Sequence, residues 1–201
     1  MNSDIHVSNV NCDDMELVQS FRNGNKRAFD LLFKRYYAMT KNFCANYIGN
    51  KEDAEETCQD VFRKVYEHLG KFKGNSSFKT WLFRITRNTC CNKVHSLMYR
   101  IRKKTVSIDA PVPCGHDDIN LEFIDNNTPR TGAISTEYME SLHRAILSLA
   151  PQKREIIILH DIQGMSYEEI AEITGKNVVT LRSIVSRARA EVLMVIRGNK
   201  I

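Results

Sequence analysis

Apolar residues recur along this chain at spacings of three and four. Phe29, Leu32, Phe33, Tyr36, Phe43 and Tyr47 mark one side of a segment from Asn25 to Ile48. Ala54, Cys58, Val61, Phe62, Val65 and Leu69 do the same from Lys51 to Leu69, and Phe78, Trp81, Leu82, Ile85 and Cys90 begin a third run. A helix gathers residues three and four apart onto one face, so each run predicts an amphipathic helix turned toward a core. No stretch keeps the two-residue period of a half-buried strand. The pattern lapses between Val106 and Pro129, where Pro111, Pro113, Gly115 and Pro129 break the chain. That stretch holds Asp109, Asp117, Asp118, Glu122 and Asp125 and no Lys or Arg, which reads as a linker. Helical periodicity returns near Ser135 and lasts to the end. The reading is all-α: two small helical domains, 1–104 and 135–201, joined by a flexible acidic linker over 105–134.

The sharpest local signal is "SYEEIAEITGKNVVTLRSIVSRARAEV", Ser166 to Val192. Ser166 with Glu169 three residues on is a capping box that starts a short helix. Gly175 permits the left-handed turn that stops it, and Asn177 can cap the next helix. Val178, Leu181, Val185, Ala188 and Val192 then form one buried stripe. Thr180, Arg182, Ser183, Ser186 and Arg187 occupy the other side, with Arg189 at the flank. This is a helix-turn-helix: the second helix fits the DNA major groove, where Arg reaches guanine acceptors or phosphate and Ser and Thr bond either. The alternative is an ordinary helical hairpin with a solvated basic face.

Composition adds little until charge is placed along the chain. The 201 residues are 42% hydrophobic and 26% charged, ordinary for a globular protein, and the net charge is +5. Between Asn50 and Gly70 the acids Glu52, Asp53, Glu55, Glu56, Asp60 and Glu67 outnumber Lys51, Arg63 and Lys64. Asp53, Glu56 and Asp60 share one helical side, either a solvated face or a surface for a basic protein partner. From Lys71 to Lys104 the sign reverses: ten basic residues, no Asp or Glu, and Phe72, Phe78, Trp81, Phe83 and Tyr99 interleaved. Basic side chains track phosphates and exposed aromatics stack on unpaired bases. The turn-rich loop Phe72 to Ser77 suits a base flipped from its stack, while at least one of Trp81 and Phe83 is expected to be plain core.

"DAEETCQDVFRKVY" (Asp53 to Tyr66) followed by "FKGNSSFKTWLFRITRN" (Phe72 to Asn88) resembles the second conserved region of extracytoplasmic-function sigma factors, the compact members of the sigma-70 family. "LAPQKREIIILHDIQGMSYEEIAEITGKNVVTLRSIVSRAR" (Leu149 to Arg189) resembles their fourth region. The resemblance runs in order from Leu17 to Val195, the linker apart. It implies that the chain binds bacterial core RNA polymerase and directs it to promoter DNA. By that resemblance Asp53, Glu56, Gln59, Asp60 and Phe62 dock on the polymerase clamp. Phe72, Lys73, Gly74, Asn75, Ser76 and Ser77 form the loop that takes a base of the minus-10 element. Lys79, Trp81, Arg84, Arg87 and Asn88 lie beside the opening strand, and Asn177, Thr180, Arg182, Ser183, Ser186 and Arg187 read the minus-35 element. The linker would thread toward the polymerase active centre and the RNA exit path, and an anti-sigma factor is the usual inhibitory partner. The chain departs from the family at Thr57 and Cys58, usually Leu and Val, and at Ile184, often Arg.

Other classes find less support. Cys12, Cys44, Cys58, Cys90, Cys91 and Cys114 form no C-x-x-C pair and take no zinc-finger spacing with His, so reduced thiols without a common purpose are expected. No P-loop, H-E-x-x-H or serine-nucleophile motif is present, and no enzyme activity, cofactor, metal or small-molecule substrate is expected. His160–Asp161 reads as a solvated turn before Gly164. The polar, acidic N-terminus is not a secretory signal and the apolar runs are too short to span a bilayer, which points to a cytoplasmic protein without membrane insertion. A conventional helix-turn-helix repressor or activator, or a nucleic-acid enzyme with a DNA-binding tail, remains open on the residues alone.

Overall fold

The structure, a computed structural model, describes residues 13–105 and 136–198. The expected linker, apart from Thr105, and the N-terminal residues 1–12 lie outside the described residues, as do Cys12 and Cys114. All regular elements described are helical. The first unit comprises α1 (Asp14–Arg22), α2 (Arg27–Ile48), α3 (Lys51–Leu69) and α4 (Phe78–Thr105). The second comprises α5 (Thr136–Ser148), α6 (Pro151–Ile157), a π-helical segment (Ile158–Ile162), α7 (Tyr167–Thr174) and α8 (Val178–Gly198).

The apolar stripes read from the sequence form the core. Leu32 and Phe43 of α2, Val61 and Leu69 of α3, and Leu82 and Phe83 of α4 are all buried. Phe83 is therefore the core aromatic of the pair singled out above, whereas Trp81 is half-buried. Thr57 and Cys58 are both buried, and the Thr57 hydroxyl donates back to the Asp53 carbonyl at 2.6 Å. Cys44, Cys58 and Cys90 converge in this core, with the Cys90 and Cys44 sulfurs 3.6 Å apart, and all are free thiols. Hydrogen bonding to Cys44, together with burial, pushes the Cys58 thiol far above the usual range, so it packs as a small hydrophobe rather than a nucleophile. Three of the cysteines thus do share a purpose, which is packing.

The sequence reading left open how the units meet. They pack together, α2 against α5 and α6, and α4 against α7. Gly49 ends α2 in the left-handed region at φ 85, and a Cβ there would come within 2.9 Å of Leu147 on α5. The glycine therefore serves both the turn and the close approach. Arg154 of α6 donates to the Tyr47 carbonyl at 2.8 Å and to the Leu147 and Leu149 carbonyls. Gln163 donates to the Met39 carbonyl at 3.2 Å. The bonds to Tyr47 and Met39 tie the second unit to the C-terminal half of α2.

His143 of α5 is buried at this seam near the Ala45 backbone, and its Nε2 has no hydrogen-bond partner among the described residues. Burial pushes the imidazole below its ordinary value of 6.5; the Ala45 backbone opposes this, and the neighbouring Arg154 cation adds to it. The packed state therefore holds His143 neutral. As pH falls below about 6.5 the unpacked chain takes up the proton first, and packing loses stability until the depressed value is passed. Lowering pH from about 7.5 to about 5.5 is expected to reduce the hydrogen-exchange protection factors of α5, measured against the intrinsic rate at each pH, and His143→Leu is expected to remove that part of the pH dependence. Equal acid sensitivity in the variant would assign the effect to another group.

Candidate nucleic-acid and polymerase interface

The helix-turn-helix forms as its sequence dictates. The Ser166 hydroxyl accepts the Glu169 amide at 3.2 Å, and the Glu169 carboxylate accepts the Ser166 amide at 2.8 Å. Gly175 closes α7 at φ 71. The Asn177 side chain accepts the Thr180 amide at 2.8 Å and so starts α8. Leu181, Val185, Ala188 and Val192 are buried, and Val178 is half-buried. Opposite them Thr180, Arg182, Ser183, Ser186 and Arg187 are exposed, with Asn177 at the entry of the helix. Arg182, Ser183, Ser186 and Arg187 line one open depression.

Behind that face lies a support the sequence reading missed. Arg182 lies over the Tyr167 ring, 5.5 Å from its centroid, and Tyr167 stacks on His160 at 4.4 Å. The His160 Nδ1 is 3.0 Å from the Met165 carbonyl. Asp161 accepts two hydrogen bonds from Arg189, at 2.6 and 2.9 Å. His160–Asp161 lies in the π-helical segment rather than in a turn, and although Asp161 is exposed, both side chains have partners. The π-helical segment turns the two side chains so that one props the stack and the other ties down α8. Arg189 is spent on that tie, which leaves Arg182 and Arg187 as the cations of the exposed face.

In the first unit, the loop from Phe72 to Ser77 joins α3 to α4. Phe72 is buried, packed on Trp81 at 4.9 Å and Phe78 at 6.1 Å. It anchors the loop and is not presented to a ligand. Lys73, Gly74, Asn75 and Ser77 are exposed and Ser76 is half-buried. The Ser77 hydroxyl accepts the Thr80 amide at 3.0 Å, which fixes where α4 begins. Arg22 of α1 donates to the Gly70 carbonyl at 3.2 Å and to the Phe72 carbonyl, holding the loop from the other side. Lys79, Trp81 and Arg87 are half-buried, whereas Arg84 and Asn88 are exposed.

The acids of α3 are partly neutralised from within. Lys93 of α4 reaches Asp53 at 2.8 Å and Glu56 at 2.6 Å, and both carboxylates hold its ammonium above the ordinary value. Asp60 pairs with Arg63 at 2.9 Å. Gln59 is exposed beside them, and Phe62 is buried against Phe33 at 4.6 Å. Phe62 belongs to an aromatic row through Phe21, Phe29, Phe33, Tyr37 and Tyr66, in which Tyr37 and Tyr66 are exposed.

Two of the candidate strand-binding cations face the second unit. Arg84 donates to the Glu172 carbonyl in the last turn of α7, at 3.0 Å. Arg87 makes two hydrogen bonds to Glu155, at 2.8 and 3.3 Å, and Glu155 is only 2% exposed. The carboxylate bond raises the Arg87 guanidinium above its ordinary value, against the opposing effect of burial. Glu155 was not picked out by sequence reasoning. Its signal is an acid set directly against the apolar run Ile156 to Leu159, a position that demands a partner once buried.

Comparison with known proteins bears on the whole arrangement. A model of sigma-70 region 2 matches residues 32–105, and a model of sigma-70 region 4 matches residues 139–192. The RNA polymerase sigma-H factor of Pseudomonas aeruginosa is 32% identical over 176 residues, 88% of this chain and 90% of that protein. The ECF RNA polymerase sigma-E factor of Escherichia coli (strain K12) is 32% identical over the same shares. Among solved structures, CnrH in complex with the cytosolic domain of CnrY aligns at TM-score 0.63 and 21% identity, over 93% of this chain and 99% of that one. The sigma factor RpoE of Bartonella quintana, in complex with the anti-sigma factor NepR, aligns at 0.64 and 23%, over 84% and 96%. At those identities the likeness is one of fold.

Arg87→Ala would leave the buried Glu155 carboxylate without its partner. Removing one member of a buried pair costs roughly 3 kcal/mol. The variant is expected to exchange amide hydrogens faster in α6 and α7 while the core of α2 and α3 stays protected. Unchanged protection across α6 and α7 would mean that the pair does not hold the units together.

Proposed function

We infer the division of labour within this chain from its family: it belongs to the extracytoplasmic-function sigma factors of the sigma-70 family. It is a sigma factor, which binds core RNA polymerase and directs it to promoters. Sigma factors are not enzymes; the polymerase makes RNA and this chain supplies recognition. No described helix is long and apolar enough to cross a membrane.

We propose the following assignment of parts, with residues 1–104 as the polymerase-docking and strand-opening domain and 135–201 as the upstream-reading domain. Asp53, Glu56, Gln59 and Asp60 present the docking face of α3, with Phe62 packed beneath it. Lys73, Gly74, Asn75, Ser76 and Ser77 receive a base of the minus-10 element, and buried Phe72 holds the loop in shape. Lys79, Trp81, Arg84, Arg87 and Asn88 lie along the separated strand. Asn177, Thr180, Arg182, Ser183, Ser186 and Arg187 enter the major groove of the minus-35 element. The acidic linker, 105–134, occupies a basic channel of the polymerase until RNA displaces it. The observation that carries this reading is the exposed, internally supported Arg–Ser face of α8, on a chain that matches sigma regions 2 and 4 in order.

An inhibitory protein partner of the anti-sigma class follows from the same reading. One structural relative, RpoE, was solved with the anti-sigma factor NepR, and another, CnrH, with the cytosolic domain of CnrY. A partner gripping both units in their packed state would withhold α4 and α8 together.

Reconstitution with sigma-free core polymerase tests the assignment. Arg187→Ala is expected to weaken promoter binding by about tenfold, in the range of one lost base contact, and to leave polymerase binding intact. Asp60→Lys is expected to do the reverse. If both variants lose both activities equally, the two surfaces are not separate and the assignment is wrong.

A further inference from the structure

We infer that Val179 reads the C5-methyl group of a thymine in the upstream promoter element, an inference that rests on the placement of α8 proposed above. Val179 is the second residue of α8. At 75% it is the most exposed large hydrophobic side chain among the described residues. Single exposed hydrophobics are ordinary on protein surfaces. What sets this one apart is its position, since the N-terminal residues of a recognition helix are those that meet base edges.

The row it belongs to settles what surrounds it. Val179, Ser183 and Ser186 follow at spacings of four and three, on the side of α8 away from buried Leu181, Val185 and Ala188. Arg182 and Arg187 flank that row, and both line the same depression as the two serines. Guanidinium groups there suit phosphate or guanine, and the serine hydroxyls suit any donor or acceptor. A valine has no hydrogen-bonding atom. The major groove offers such a side chain one distinctive apolar feature, the methyl group of thymine. Cytosine at the same place would offer only an amino donor that valine leaves unsatisfied. Val179 thus adds to the polar reading of α8 a discrimination that its arginines and serines do not make.

The test uses holoenzyme made from the full chain and core polymerase, selecting templates from a promoter library randomised across the upstream element. The unmodified chain is expected to enrich thymine at one position. Val179→Ala is expected to weaken that preference about fourfold, the factor for one buried methyl group, and to keep the ranking elsewhere. Deoxyuridine at that position, which lacks only the methyl group, is expected to cost the unmodified holoenzyme the same factor and the variant nothing. A variant with unchanged base preferences, or an unmodified holoenzyme indifferent to deoxyuridine, would overturn the assignment to Val179. A separate outcome concerns its foundation: if Arg182→Ala and Arg187→Ala leave every upstream preference unchanged, α8 does not lie in the groove and both readings fall. Val179 touches the core so little that thermal unfolding of the variant is expected to match the parent.

Discussion

A guanidinium group whose Nε and Nη2 edge is committed to a buried carboxylate cannot turn that same edge to a DNA phosphate. Arg87 lies against Glu155, which is almost wholly withdrawn from water. A carboxylate in that position is tolerable only while its partner stays in place. The packed arrangement of the two units therefore draws on Arg87, and Arg84 adds an exposed hydrogen bond to the Glu172 backbone carbonyl in the last turn of α7. Under the proposed assignment these are the cations that track the opening strand. Packing and strand binding then draw on one set of charges, so promoter engagement requires the second unit to leave α4. The seam combines directed bonds from Arg154 and Gln163 and the close approach of Gly49 to Leu147 with a buried apolar cluster that runs through both units.

The two surfaces proposed to face DNA are supported differently, which suits different tasks. On α8, Arg182 is held by the Tyr167–His160 stack and α8 is tied down through Arg189 and Asp161. A duplex read at its base edges rewards such rigidity, because a misplaced donor cannot complete a bidentate contact. The loop before α4 has its ends fixed, by Arg22 on one side and Ser77 on the other, and its middle exposed. That arrangement suits a base that must be received after it leaves the stack. On α3 the acids are not a free negative field, since Lys93 already answers Asp53 and Glu56. A basic partner there has to compete with Lys93, which favours specific docking over loose attraction.

Much of this was legible in the sequence because the signals were local. The capping box at Ser166, the glycine turn at Gly175 and the stripe from Leu181 to Val192 each follow from spacing alone, and the structure shows all three. The family resemblance was equally plain, resting on two motifs in order. What escaped depended on contacts between distant segments. Nothing near Glu155 indicates that its partner lies on α4 or that the units meet there. His160–Asp161 was misread because an ordinary helix turns adjacent residues apart, whereas the π-helical segment sends them to Tyr167 and Arg189. Phe72 was read as part of the base-receiving loop, yet it is buried and packed on Trp81. The cysteines looked unrelated because packing across three helices leaves no trace in their spacing.

The mutual exclusion at Arg87 is most directly tested by a distance. Fluorophores placed through non-natural amino acids at exposed Lys71, before α4, and exposed Glu168, on α7, report whether the two units touch. The account predicts one short distance in the free chain and a single longer one once core polymerase and promoter DNA are bound. A distance that stays short in the complete promoter complex would contradict it, because the packed state would then coexist with strand binding.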